Sequence, residues 1–150
     1  MGKTVGIDLG TTFSLVAYLD AATGRPKCIP GPYGSALCPS VVSVDAEVKA
    51  RGLEGPYLLK LDTHGFEIPI LKGAAQTLAS TEVIVMECYN YRIAPECLTF
   101  DEMCRYLGER GFRCIDLVDP LYRPYDDSFW QMDLVFVRSS RPEFSHQGYR

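Results

Sequence analysis

The run Leu58-Leu59-Lys60-Leu61-Asp62-Thr63-His64-Gly65-Phe66-Glu67-Ile68-Pro69-Ile70-Leu71-Lys72-Gly73 changes character twice. It begins as an apolar strand, ends that strand on an acid, turns tightly at Gly65 and enters a helix. Phe66, Ile70, Ala74 and Leu78 recur at helical spacing, with Leu71 and Ala75 on a neighbouring face. Pro69 is compatible with the first helical turn, where its missing N–H has no partner to lose. Ligands of open α/β sheets bind just beyond the carboxyl ends of strands, so Asp62 stands where chemistry is expected.

Downstream the pattern repeats. Val83-Ile84-Val85-Met86 is a continuous apolar run between Glu82 and Glu87, which predicts a parallel strand covered by helices on both faces. Thr99 and Glu102 form a capping box, Phe100, Met103, Cys104 and Leu107 line one helix face, and Gly111 can close it. Phe112 to Val118 reads as a strand, Pro120 to Phe129 as a loop pinned by Gln131 and Asp133, and Gln131 to Arg138 as a last strand. Strand, helix, strand, helix, strand, strand is the second half of a doubly wound α/β sheet.

Upstream, residues 4–9 form a short strand, Gly10-Thr11-Thr12 a turn and Phe13 to Leu19 a second strand, predicting a β-hairpin or meander. Pro30, Gly31, Pro32, Gly34 and Pro39 mark residues 30–39 as loop, Ser40 to Val44 reads as one more strand, and Ala46 to Arg51 as a short helix. The chain thus divides into three parts: an amino-terminal β segment over 1–45, the α/β part over 46–138, and a polar tail over 139–150.

Composition narrows the function classes. The 150 residues carry a net charge of -4, with 47% hydrophobic and 23% charged residues, as in ordinary globular domains. That balance offers no footprint for nucleic acid or an anionic membrane. No apolar run approaches the ~20 residues that span a bilayer, and Asp8 interrupts the one candidate signal segment, so a cytoplasmic protein is expected. The six cysteines form no C-x-x-C pair and only two histidines accompany them, so no metal site is expected and the thiols read as reduced and mostly buried.

The motifs from about Val42 to Arg138 resemble the FkbM-type methyltransferase family. The resemblance rests on Lys60-Leu61-Asp62, Gly65-Phe66-Glu67, Leu71-Lys72-Gly73-Ala74, Glu87, Asp116 to Arg123, and Gln131-Met132-Asp133-Leu134-Val135-Phe136-Val137-Arg138, in that order. It implies a partial Rossmann-like methyltransferase sheet, parallel with an antiparallel last strand. It also implies S-adenosylmethionine as cofactor and a hydroxyl of a small molecule or sugar as acceptor. Methyl transfer is an in-line displacement that needs two reactants held close and a group to take the acceptor proton. Asp62 and Glu87 end strands expected to be neighbours, ~4.8 Å apart, and so can face one cleft. His64, between Asp62 and Glu67 in the chain, is a possible base or acceptor contact. Glu67 opens the following helix, where the dipole favours its charge. For Asp62 a hydrogen-bonding role in the turn stays open, for Glu67 an ordinary helix-start role, and for His64 a packing role.

Residues 4 to about 45 resemble a second family, the heat-shock chaperones with an actin-like ATPase domain. The carrying residues are Val5-Gly6-Ile7-Asp8-Leu9-Gly10-Thr11-Thr12, Ser14-Leu15-Val16-Ala17, Gly24-Arg25-Pro26 and Pro39-Ser40-Val41-Val42. The resemblance implies a loop around nucleotide phosphates. Gly10 would allow close approach, Thr11 and Thr12 would offer hydroxyls and N–H groups, and Asp8 would lie near the metal, with ATP and magnesium as the alternative ligand. Asp8, Gly10, Thr11 and Thr12 are therefore the candidate cofactor contacts. Two partial patterns joined near Val41 to Asp45 also suggest a hybrid chain, incomplete or inactive alone, or one that self-associates through an exposed sheet edge.

Overall fold

A computed structural model describes residues 4–11, 13–30, 37–39 and 43–150, with 37–39 described by backbone alone. Eight strands form one mixed sheet: β1 (Val5–Gly10), β2 (Phe13–Leu19), β3 (Pro26–Cys28), β4 (Leu37–Pro39), β5 (Tyr57–Asp62), β6 (Thr81–Tyr89), β7 (Phe112–Tyr122) and β8 (Phe129–Arg138). Four helices accompany them: α1 (Val44–Ala50), α2 (Glu67–Lys72), α3 (Ala75–Ala79) and α4 (Phe100–Gly108). The strand order is β3-β2-β1-β5-β6-β8-β7, and β4 shares the outer edge of β2 with β3. This is the expected α/β architecture: β1, β5 and β6 pair in parallel, β8 runs antiparallel to both of its neighbours, and β1 and β2 make the amino-terminal hairpin. No helix among the described residues is long and apolar enough to cross a membrane.

Period-two alternation divides the sheet into two unlike faces. Ile7 and Leu9 of β1, Leu59 and Leu61 of β5, Ile84 and Met86 of β6, and Leu134 and Phe136 of β8 are buried together. Ile68, Ile70 and Leu71 of α2, Leu78 of α3 and Met103 and Leu107 of α4 belong to the same core. The alternate positions, Leu58, Lys60, Val83, Val85 and Val135, stay partly open. The apolar run of β6 is thus buried on one side and half-exposed on the other, a correction to the expectation of helices on both faces. A run of valine and isoleucine satisfies either environment, so composition alone cannot distinguish them.

Other boundaries also moved. The helix expected through Leu78 breaks at Gly73 and Ala74 into α2 and α3. β7 continues through Pro120 to Tyr122, leaving 123–128 as the loop, and Pro120 is tolerated because it falls in a register irregularity between Val118 and Leu121 on an edge strand. Residues 37–39 are strand instead of loop, Val44 begins a helix instead of ending a strand, and Ser40 to Val42 lie outside the described residues. The capping box forms as expected: the Thr99 side chain receives the N–H of the third helical residue and Glu102 receives that of Thr99. In the tail a single 3-10 turn covers Pro142–Phe144. Cys88 and Cys97 are buried and Cys28 is exposed, and burial raises the thiols of Cys88, Cys97, Cys104 and Cys114.

The break before α3 has a specific support. Asp45 of α1 accepts the backbone N–H groups of Gln76 at 2.8 Å and Thr77 at 2.7 Å, and the Thr77 hydroxyl at 2.6 Å. It caps α3 from a different helix. Burial acts to raise the Asp45 carboxyl, but these hydrogen bonds outweigh it and hold it below its ordinary value. A carboxylate lowered on folding stabilises the fold above its unfolded value, and that contribution is lost as pH falls through the folded one. Asp45→Ala is therefore expected to cost about 1–2 kcal/mol at pH 7, the range of a lost cap. The difference from the unchanged protein should shrink in acid, as urea denaturation at a series of pH values will show.

Candidate functional site

The chemistry-bearing residues lie on the half-exposed face, at the carboxyl ends of the parallel strands. Asp8 of β1 sits beside Lys60 of β5, and Gly10 beside Asp62. Leu61 pairs with Met86, so Asp62 at the end of β5 lies beside Glu87, two residues short of the end of β6. The Lys60 ammonium lies 3.6 Å from Asp8 Oδ1 and 3.3 Å from Asp62 Oδ2. Burial acts to lower Lys60, but the charges of Asp8 and Asp62 outweigh it and hold the ammonium above its usual value. Both acids are thereby tied to one cation across two strands.

Past Asp62 the chain reverses through a turn that accepts few substitutions. His64 has φ +50° and Gly65 φ +101°. A Cβ at Gly65 would lie 2.7 Å from the Cβ of Ala94, so conformation and space both call for glycine. Glu67, only 3% exposed, binds the turn from within: its Oε1 accepts the Thr63 hydroxyl at 2.9 Å and the Gly65 N–H at 3.1 Å. The carboxylate of Glu67 is thus committed to holding the turn.

The turn delivers His64 to its neighbours. His64 Nδ1 lies 2.9 Å from Glu87 Oε2, 3.7 Å from Asp62 Oδ1 and 2.8 Å from the Tyr89 hydroxyl. The Tyr89 hydroxyl donates to Glu87 Oε2 at 2.8 Å. Burial first, then the hydrogen bond and charge of Glu87, push that phenol above its ordinary value, which keeps its proton in place. With the tyrosine proton directed at Glu87, the arrangement that satisfies Nδ1 is an N–H facing Glu87 and Tyr89. In the neutral ring this leaves the Nε2 lone pair free. Gln131 donates to the other oxygen of Glu87. Gln131 thus serves the site and does not pin the loop, which is held instead by Asn90 to the Phe129 carbonyl at 3.1 Å and Tyr91 to Ser128 at 2.7 Å.

Asp62, His64 and Glu87 each offer one possible metal-ligand atom, all within 4.8 Å of one another. A cation bound through Nδ1 would displace the proton placed there, so the two arrangements exclude each other. Thr11 is exposed just after β1, and Thr12 lies outside the described residues. Of the residues proposed from sequence, the fold gathers Asp8, Gly10, Asp62, His64 and Glu87 at one end of the sheet, with Glu67 beneath them. Tyr89 escaped the sequence reading, and so did the link of Gln131 to Glu87. Tyr89 follows Glu87 by two positions on a strand, a spacing that places both on one face and is the available signal. Gln131 reaches Glu87 only through the β6–β8 pairing. From Tyr89 an aromatic chain continues outward, with Trp130 at 5.9 Å, Tyr91 stacked on Trp130 at 5.3 Å and the Arg123 guanidinium 4.3 Å above Tyr91.

The sequence profile of the methyltransferase FkbM domain matches residues 20–114, well over half of the chain. The chain belongs to the FkbM methyltransferase family. No solved structure matches it. The FkbM span starts at Asp20 in the turn after β2 and ends at Cys114 in β7. It therefore contains Asp62, His64, Glu67, Glu87 and Tyr89, and it starts earlier and ends earlier than the span of the motifs in the sequence. β1, with Asp8 and Gly10, precedes the FkbM match yet is hydrogen-bonded to β5 within the same sheet.

Because Glu67 is buried and carries two donors, Glu67→Ala is expected to destabilise the fold by about 1.5–3 kcal/mol, as for a lost hydrogen-bonded charge. The midpoint of guanidinium unfolding will measure it. Asp62→Asn, at a half-exposed position, is expected to shift that midpoint far less.

Proposed function

We propose that this chain is an S-adenosylmethionine-dependent O-methyltransferase domain of FkbM type, acting on a hydroxyl of a small molecule or sugar. The observation that carries the reading is the contact of His64 Nδ1 with Glu87 at 2.9 Å within the FkbM span, at the carboxyl ends of neighbouring parallel strands. The His64 side chain is 55% exposed, so the ring is open to an acceptor. In this reading Nε2 takes the acceptor proton, and Glu87 fixes the tautomer and stabilises the imidazolium that forms. Asp62, whose Oδ1 lies 3.7 Å from His64 Nδ1, joins Glu87 in orienting the ring. Bound S-adenosylmethionine would supply an electrophilic methyl group on a sulfonium.

Cofactor contacts are assigned to Asp8, Gly10, Thr11 and Thr12, at and just beyond the carboxyl end of β1. Position favours this assignment, since Gly10 is level with Asp62. The chain beyond β1 departs from a dinucleotide-type site: it returns antiparallel through β2, where such a site continues into a helix. Cofactor affinity and turnover of this chain by itself are therefore expected to be low. The alternative, a chaperone-type ATP and magnesium site on the same loop, rests on the sequence resemblance of the hairpin.

Thermal-shift measurements separate these readings, since a ligand selective for the native state raises its Tm. S-adenosylmethionine and its demethylated product are expected to raise Tm, and ATP with magnesium is not; a rise with ATP alone would overturn the assignment. Transfer of a radiolabelled methyl group to a panel of sugars and small alcohols is expected to fall about 100-fold or more in both His64→Ala and Glu87→Gln. Unchanged transfer in either variant would remove that residue from the mechanism.

A further inference from the structure

At the opposite end of the sheet, on the helical side, a cavity of about 430 Å³ opens between α2, α3 and α4. Its volume lies within the ~300–1,000 Å³ of small-molecule sites. Leu71, Ala75, Leu78 and Tyr106 give it an apolar lining. The charged lining groups are all cationic: Lys72, Arg110 and Arg138. Glu109, 3.9 Å from Arg110, is an acid beside the mouth and leaves an excess of positive charge. In a chain of net charge -4, this local balance runs against the whole.

The two guanidinium groups are already positioned. Arg138 lies 4.4 Å over the Phe112 ring and donates through Nη2 to the Leu78 carbonyl. Arg110 lies 3.5 Å over the Tyr106 ring and donates through Nη1 to the Tyr106 carbonyl at 2.8 Å. Each anchor uses one nitrogen and leaves further N–H donors, and a stacked guanidinium loses little freedom on binding an anion. Lys72 closes α2, is exposed, and pairs with no acid among the described residues.

We infer that this cavity binds a phosphate monoester carried on a short apolar body. Three cations offset by one acid match a group that carries about two negative charges at neutral pH, and arginine forks fit phosphate oxygens. The apolar lining accepts the remainder of such a molecule. The site is separate from the His64 cluster, and its test does not depend on methyl transfer.

Octyl phosphate, octanoate and 1-octanol, titrated calorimetrically into the full chain, test the inference. Octyl phosphate is expected to bind at least about tenfold more tightly than octanol, as charge-assisted hydrogen bonds require. Lys72→Ala and Arg110→Gln together are expected to abolish that margin while leaving Tm within a few degrees of its original value. Arg138 is left in place because it also braces Phe112 and Leu78. Octyl phosphate binding no tighter than octanol, octanoate binding as tightly as octyl phosphate, or full affinity in a folded Lys72→Ala/Arg110→Gln variant would each overturn the assignment.

Discussion

β5 is gripped on both edges by parallel neighbours, β1 and β6, and its register sets the position of every group in the candidate site. Its odd-numbered residues Tyr57, Leu59 and Leu61 enter the core, while Lys60 and Asp62 take the other face. A slip of one residue would bury Lys60 and Asp62 and expose three apolar side chains, so register is enforced by the hydrophobic term. The acids are then placed without any further device. Parallel neighbours bring their carboxyl ends to the same rim, and alternation gives Asp8, Asp62 and Glu87 the same face.

Placing the histidine requires something additional, because His64 lies beyond the strand. The backbone must leave β5, pass through two residues with positive φ and begin α2 at once. Glu67 makes this possible by satisfying Thr63 and Gly65 from inside the fold, where an unpaired carboxylate would be severely disfavoured. A single acid that reads from sequence as a catalytic candidate is thus the anchor of the turn that presents the histidine. Along this rim Lys60 lies within 4 Å of both Asp8 and Asp62, and His64 within 4 Å of both Asp62 and Glu87.

The amino-terminal hairpin raises a separate issue of organisation. It lies outside the FkbM match, which begins at Asp20, just after β2. In the fold it is not an appendage: β1 contributes Ile7 and Leu9 to the shared core and hydrogen-bonds along the length of β5. Sheet pairing depends on backbone and on burial pattern, so a strand of any ancestry can complete a sheet provided its alternation suits the core. That is the physical basis on which β1 and the strands of the FkbM span share one sheet.

Local chemistry carried much of this protein openly in its sequence. The strand ending at Asp62, the glycine turn, the capping box at Thr99 and the hairpin all stem from short-range periodicity, turn propensity and capping. The tertiary structure decided what depends on distant partners. α3 begins where it does because Asp45, far away in the chain, caps it. β7 runs on through Pro120 because β8 pairs with it. Tyr89 and Gln131 converge on Glu87 because β6 and β8 lie together, and one sheet face is open because the core residues of all four helices join the other. A single sequence shows which residues can bond, but the choice among partners is made by the burial of the whole chain.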